Sequence, residues 1–214
     1  LFNVHLTDRQ EDTVEILADI ALPMPGRHNV SNALAAIAVA HEMGVSGEVI
    51  RRAFGKFSGV KRRFTLVAKV GGISIIDDYA HHPVEISSVL GAAREAYQGR
   101  VIAVMQPHRY SRLESLFDEF CSCFNDADVV LVAPVYEAGE KPIENINRDS
   151  LVDGIRAVGH RHVVALDGPE SMAAQVAAVT QPGDIVLCMG AGSISQWAYD
   201  LPTPLAAALG ERQE

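Results

Sequence analysis

Hydrophobic and polar positions follow two regimes along the chain. Before about Val60, a strand-like run TVEILADI is followed by an alanine-rich segment. After it, Val49, Ile50, Ala53, Phe54 and Phe57 recur at helical spacing. The alanine-rich run predicts a helix over residues 33–43, with Asn29 and Ser31 as candidate caps and Gly44 as the stop. Ser46 is placed to cap the second helix. The opening stretch FNVHLTDRQEDTVEILADIALP predicts strands and turns. From about Arg62 onward the pattern changes. TLVAKV and ISIID, split by Gly71 and Gly72, predict a β-hairpin. RVIAVM, DVVLVAP, HVVALD and DIVLCM then predict strands. Helices are expected between them: from Pro83 to about Gln98, over LESLFDEFCSCF, over residues 148–158 and over PESMAAQVAAV. Strands that are apolar throughout need cover on both faces. The expected fold is therefore α/β, a doubly wound and mostly parallel sheet. The expected division is residues 1–60 and 61–214.

Composition narrows the function classes. A length of 214 residues suits one large domain plus part of another. The formal net charge of −9 argues against a nucleic-acid partner, which is held mainly by phosphate neutralisation. Local basic groups can still hold a small anion. No apolar run approaches the roughly 18 residues of a membrane helix, and no basic-then-apolar leader opens the chain, so a cytoplasmic protein is expected. Cys121 and Cys123 lie two apart in a predicted helix and Cys188 in a predicted strand. That pattern suits buried thiols in a reducing compartment, with no disulfide frame and no metal site. The chain starts at Leu1 and not at methionine, which reads as a truncated piece of a longer protein.

In doubly wound sheets, ligands bind beyond the carboxyl ends of the strands. Three polar clusters fall there: DDYAHHP, QPHRYSR and GAGS. In the first, alternation sends Asp77 and Asp78 to opposite sides, one of them toward the crevice. A carboxylate there can accept from ribose hydroxyls, hold a cation, or cap the helix that Pro83 opens. His81 and His82 add two imidazoles, and with Asp78 they make a rival metal-hydrolase reading. In QPHRYSR, Arg109 and Arg112 are three apart and offer two planar forks to a carboxylate or phosphate, unless the loop is simply solvated. Asn29 and Asn32 share a helix face and suit either capping or the N6/N7 edge of adenine. Arg63 lies in a run of three cations. Gly190 and Gly192 fall short of G-x-G-x-x-G, and no G-x-x-x-x-G-K-[ST] occurs.

Taken in order, PGRHNVSNALAA, GVKRRF, DDYAHHP, QPHRYSR, VYEAGEKPI and GAGSI resemble the Mur ligase family over nearly the whole chain. The resemblance implies a three-domain enzyme. This chain would hold the tail of the central ATPase domain, to about Val60, and all of a carboxy-terminal Rossmann-like domain. By motif, Asn29 and Asn32 match adenine contacts, Arg63 a phosphate contact and Asp78 a ribose contact. Tyr79, His81, Arg109 and Arg112 match the lining of the muramate and amino-acid site, and His81, His108, Arg109 and Arg112 are the expected catalytic group. QPHRYSR points to the member that takes UDP-N-acetylmuramate and L-alanine in peptidoglycan precursor synthesis. The implied cofactors are ATP and Mg2+. The phosphate loop and magnesium ligands are expected upstream, so the chain alone is expected to be inactive. The alternative is a non-catalytic sugar-nucleotide or peptide binding module of the same fold.

Overall fold

A computed structural model describes residues 1–8 and 12–210, and the chain divides into two units, Leu1–Val60 and Lys61–Glu214. Residues 9–11, inside the opening stretch expected to form strands and turns, lie outside the described residues. In the first unit, β1 (Phe2–Asp8) pairs antiparallel with β2 (Thr13–Ile20), and two helices follow, α1 (Arg27–Glu42) and α2 (Gly47–Lys56). α1 starts six residues before the alanine-rich run. Gly26, at φ 94°, turns the chain, and the Asn29 side-chain amide donates to the Pro25 carbonyl at 2.7 Å. Asn29 and Ser31 therefore sit inside the helix and do not precede it as caps. Gly44 takes φ +78° just past the end of α1, a conformation that glycine adopts at no steric cost. Ser46 precedes α2 as expected, yet only Ile50 of the predicted stripe is buried, while Val49 and Phe57 stay exposed. The core of this unit is small: Val4, Leu17, Ile20, Ile37 and Ile50.

The second unit begins with the predicted hairpin, β3 (Thr65–Val70) and β4 (Ile73–Asp78), followed by α3 (Pro83–Ala96) and β5 (Val101–Met105). Next come α4 (Tyr110–Ser115), α5 (Phe117–Ser122), β6 (Val129–Val132) and α6 (Arg148–Ala157). β7 (Val163–Ala165), α7 (Pro169–Val179), β8 (Ile185–Met189), α8 (Ile194–Asp200) and α9 (Pro202–Gly210) complete it. The single helix expected over LESLFDEFCSCF is two short ones. Leu116 leaves helical geometry at φ −125°, ψ 28°, and Leu113 and Phe120 then pack into one cluster from either side of the break.

The sheet has six strands in the order β3-β4-β8-β5-β6-β7, and of these six β3 runs antiparallel to its neighbour while the other pairings are parallel. Both faces are covered, and successive residues alternate between them. Val101, Ala103 and Met105 join one apolar cluster with α3, α5 and α6, whereas Ile102 and Val104 join the other with α7, α8 and α9. Fully burying each such aliphatic side chain contributes roughly 1.5–3 kcal/mol. All three cysteines are buried free thiols, and burial pushes Cys123 up to about 12. Among the described residues no helix is long and apolar enough to cross a membrane.

Register places the site. Asp78 lies level with Met189, and Met189 with Met105. The inserted β8 thus brings the loops after β4, β8 and β5 side by side, and these carry DDYAHHP, GAGS and QPHRYSR.

Leu131, fully buried in β6, tests the packing. Leu131→Ala should destabilise the second unit by about 3 kcal/mol, because surrounding strands cannot collapse into the void. Trp197, the one tryptophan of the chain, belongs to this unit and reports on it by fluorescence during urea unfolding. An unshifted midpoint would contradict the burial.

Candidate functional site

The two aspartates at the end of β4 do leave on opposite faces, but both are buried, at 0% exposure for Asp77 and 2% for Asp78. Neither opens onto a crevice, which corrects that part of the reading. The Asp78 carboxylate accepts the backbone N–H groups of Phe64 at 2.7 Å and Ala80 at 2.8 Å, so it ties the entry of β3 to the exit of β4. Burial raises its pKa, and those two N–H bonds oppose the rise. Asp77 accepts from the Ser195 hydroxyl at 2.6 Å, and the Arg62 Nε lies 3.9 Å away.

Arg62 joins three loops. Its Nη2 donates to the Gly190 carbonyl at 2.9 Å, its carbonyl accepts from the Tyr79 N–H, and its guanidinium stacks 4.6 Å from the Tyr79 ring centre. Stacking of this kind contributes on the order of 0.5–2 kcal/mol. Arg63, the expected phosphate contact, is exposed, and its guanidinium is 6.0 Å from the same ring.

From Tyr79 a row of rings crosses the carboxyl ends of the strands. Tyr79 meets His81 edge-on at 5.0 Å between centroids, and His81 meets His108 edge-on at 5.8 Å. His108 stacks on Tyr136 at 5.4 Å and 15°. The His81 Nδ1 lies 2.9 Å from the Tyr79 carbonyl and 3.4 Å from Glu85, so Nδ1–H donates there and Nε2 is left to the site. Burial raises the Glu85 pKa, but the N–H and charge of His81 and the N–H of His82 outweigh it, and the net shift is downward. His82 instead caps α3: its Nδ1 accepts from the Val84 N–H at 3.4 Å, in a capping box with Glu85. Among the described residues no group of three or more His, Cys, Asp or Glu is placed to hold a metal ion.

The loop after β5 completes the cluster. Arg109 takes the left-handed conformation at φ 74°, with its N–H on the Tyr136 carbonyl at 2.9 Å. One turn on, the Arg112 Nη1 reaches back to within 3.5 Å of the His108 Nδ1 and 3.4 Å of its carbonyl. His108 has its pKa lowered, first by burial, then by the charges of Arg112, His81 and Arg109. Burial and these cations thus favour its neutral form. Two guanidiniums beside a neutral imidazole suit a carboxylate, and also an oxygen that gains charge during reaction.

Gly190 and Gly192 serve close packing. A Cβ at Gly190 would lie 2.9 Å from the Gln106 carbonyl, and one at Gly192 2.5 Å from the Tyr136 ring. Gln106 is buried and fixes this loop, accepting from the Ile194 N–H and donating to the Ser193 hydroxyl, both at 3.0 Å. Beside Tyr136 opens a cleft of about 710 Å³ whose walls include Gln106, Glu137, Asp167, Ser193 and Trp197.

In the first unit, Asn29 is buried and Asn32 exposed on the next turn of α1. The structure thus brings Tyr79, His81, His108, Arg109 and Arg112 together, and turns Asp78 inward. Sequence reasoning passed over Arg62, Gln106, Tyr136 and Glu140. Of these, Tyr136 and Glu140 lie in the string VYEAGEKPI, whose local pattern carries no chemical signal of its own.

Comparison with known proteins extends the picture. The family described as Mur ligase, glutamate ligase domain, matches residues 62–192. UDP-N-acetylmuramate–L-alanine ligases of Brucella anthropi and Methylobacterium nodulans are each 59% identical, over 96% and 99% of this chain. The chain spans 44% and 45% of their lengths, less than half of the curated relatives it matches. The solved UDP-N-acetylmuramate–alanine ligase of Thermotoga maritima superposes with a TM-score of 0.68 at 29% identity, covering 84% of this chain and 38% of its own. A murein peptide ligase of Psychrobacter arcticus gives 0.63 at 25% identity, covering 90% and 39%.

The charge around His108 gives a direct check. Arg112→Ala removes one of the cations that hold its pKa down, so the pKa should rise toward the ordinary value near 6.5. An NMR titration of the His108 ring protons measures this. A pKa that stays put would separate Arg112 from His108.

Proposed function

The chain belongs to the Mur ligase family, and on that premise we propose that it is the carboxy-terminal part of a UDP-N-acetylmuramate–L-alanine ligase. The observation that carries the reading is identity of 59% to ligases of that name across nearly the whole chain. The clustering of His81, His108, Arg109 and Arg112 at one sheet end supports it. Residues 1–60 are then the tail of the central ATP-binding domain, in keeping with the exposed apolar side chains of Val14, Ile16, Val39 and Met43. The parent works in the cytoplasm.

The reaction joins a carboxylate to an amine. A muramate carboxylate oxygen bonds to the γ-phosphorus of ATP as ADP leaves. The alanine nitrogen then bonds to the acyl carbon and loses a proton, while the C–O bond to phosphate breaks. In this chain, Arg109 and Arg112 hold the alanine carboxylate and offset charge on the tetrahedral carbon's oxygen. Nε2 of His81, left free by the Nδ1–H bond to Tyr79, is placed to accept the amine proton, and His108 faces the same space. Tyr79 forms one wall.

For the nucleotide, Asn32 and Arg63 are exposed and fit a base edge and a phosphate. Asn29 spends one amide hydrogen on Pro25 and keeps its remaining capacity for the base. Asp78 fits ribose less well, because both of its oxygens already accept backbone N–H groups. Mg2+, when bound, neutralises phosphate charge. Its ligands and the phosphate loop belong elsewhere in the parent, since this chain carries no G-x-x-x-x-G-K-[ST].

Alanine-dependent phosphate release tests the assignment. Arg112→Ala in the full-length parent should lower kcat/KM for alanine more than about tenfold, equivalent to roughly 1.4 kcal/mol of transition-state binding. Kinetics equal to wild type would remove Arg112 from the site. The chain alone should release no phosphate from ATP.

A further inference from the structure

Glu140, in the loop after β6, touches the arginine-bearing turn at three points. Its Oε2 accepts the Ser111 N–H at 2.9 Å, its Oε1 accepts the Ser111 hydroxyl at 2.6 Å, and the Arg109 Nη1 lies 3.8 Å away. α4 has no side-chain cap of its own, and the residue at its start, Arg109, sits at φ 74°. L residues leave that conformation unless neighbours hold them. Two neighbours do so here. Tyr136 exchanges backbone hydrogen bonds with Pro107 and Arg109, and Glu140 caps the next residue from outside the helix. A third contact, from Glu137 to the Tyr110 hydroxyl, fastens the same turn.

The three contacts of Glu140 are unequal. A 3.8 Å pair with a guanidinium that is 51% exposed is weak, because water screens it. The two Ser111 bonds are short, and the acceptor is charged. Glu140 therefore acts on the backbone at residues 109–112 more than on the Arg109 charge, which stays available to an anion.

We propose that Glu140 is a positioning residue for the alanine-binding arginines: its bonds to Ser111 set where the side chains of Arg109 and Arg112 begin. This rests on the proposed ligase function. A glutamine at 140 keeps the arrangement without the charge, since its carbonyl accepts the Ser111 N–H and its amide donates to the Ser111 oxygen. An alanine removes both bonds.

Two measurements decide it. In the full-length parent, Glu140→Ala should raise the alanine KM about tenfold and leave the ATP KM within about twofold, whereas Glu140→Gln should keep the alanine KM within about threefold of wild type. Equal damage in both variants, or an unchanged alanine KM in Glu140→Ala, overturns the proposal. So does a parallel rise in both KM values, which is general loosening. In the present chain, hydrogen exchange at the Ser111 amide should speed up about tenfold or more in Glu140→Ala, with Val104 and Leu131 unchanged, and return in Glu140→Gln. Unchanged exchange at Ser111 overturns the positioning role on geometry alone. A wild-type parent without alanine-dependent phosphate release would sink the ligase reading, and the exchange result would then decide the positioning role by itself.

Discussion

A parallel strand covered by helices on both faces has little room for polar side chains along its length, so polar groups collect where the strand ends. Everything functional in the second unit follows from that constraint. β4, β5 and β8 are buried throughout, and the hydrogen-bonding and titratable residues of the site begin as each strand stops. Because the three strands are adjacent and in register, three loops far apart in sequence form one polar surface. Asp77 and Asp78 mark the transition. They still belong to β4 and are fully enclosed, so their carboxylates serve the protein itself, tying down Ser195, Phe64 and Ala80. Tyr79, one residue on, is the first side chain released to the outside.

That same constraint explains how much could be read from the chain. Runs such as RVIAVM and DIVLCM are short, apolar and rich in Val and Ile, which reads as doubly covered strands, and Gly71-Gly72 between two apolar runs reads as a hairpin. The strand order was not legible, because nothing in a local pattern says that β8 enters between β4 and β5. Helix limits were less legible than helix existence. α1 begins early because the Asn29 amide reaches back to Pro25, a bond that spacing does not announce. The break at Leu116 serves burial of Leu113 and Phe120, which only the packed cluster reveals.

At the site, residues that touch a ligand in the proposed reaction were legible, and residues that hold them were not. His108, Arg109 and Arg112 stand together in one loop, so a run of polar letters displays them. Their supports come from elsewhere: Arg62 from before β3, Tyr136 and Glu140 from after β6. Arg62 and Arg63 are neighbours in an unbroken basic run, and only the left-handed turn at Arg62, φ 59°, decides that one guanidinium folds onto Tyr79 and Gly190 while the other stays in solvent. Similarly the glycines of GAGS resemble an anion-binding turn by letter, yet their missing side chains make room for Gln106 and Tyr136.

The position of β8 bears on how the unit assembles during synthesis. The last of the six strands in chain order, Ile185–Met189, separates the hairpin β3–β4 from the trio β5, β6 and β7. Until it arrives, β4 and β5 each present a bare hydrogen-bonding edge flanked by apolar faces. Such edges invite pairing with other chains and must be sheltered while translation finishes. Closure then depends on contacts more than a hundred residues apart for β4, as in Ser74 with Ile185, and such contacts slow the folding step. A chain cut before Ile185 would therefore lose the centre of the sheet and not merely one edge.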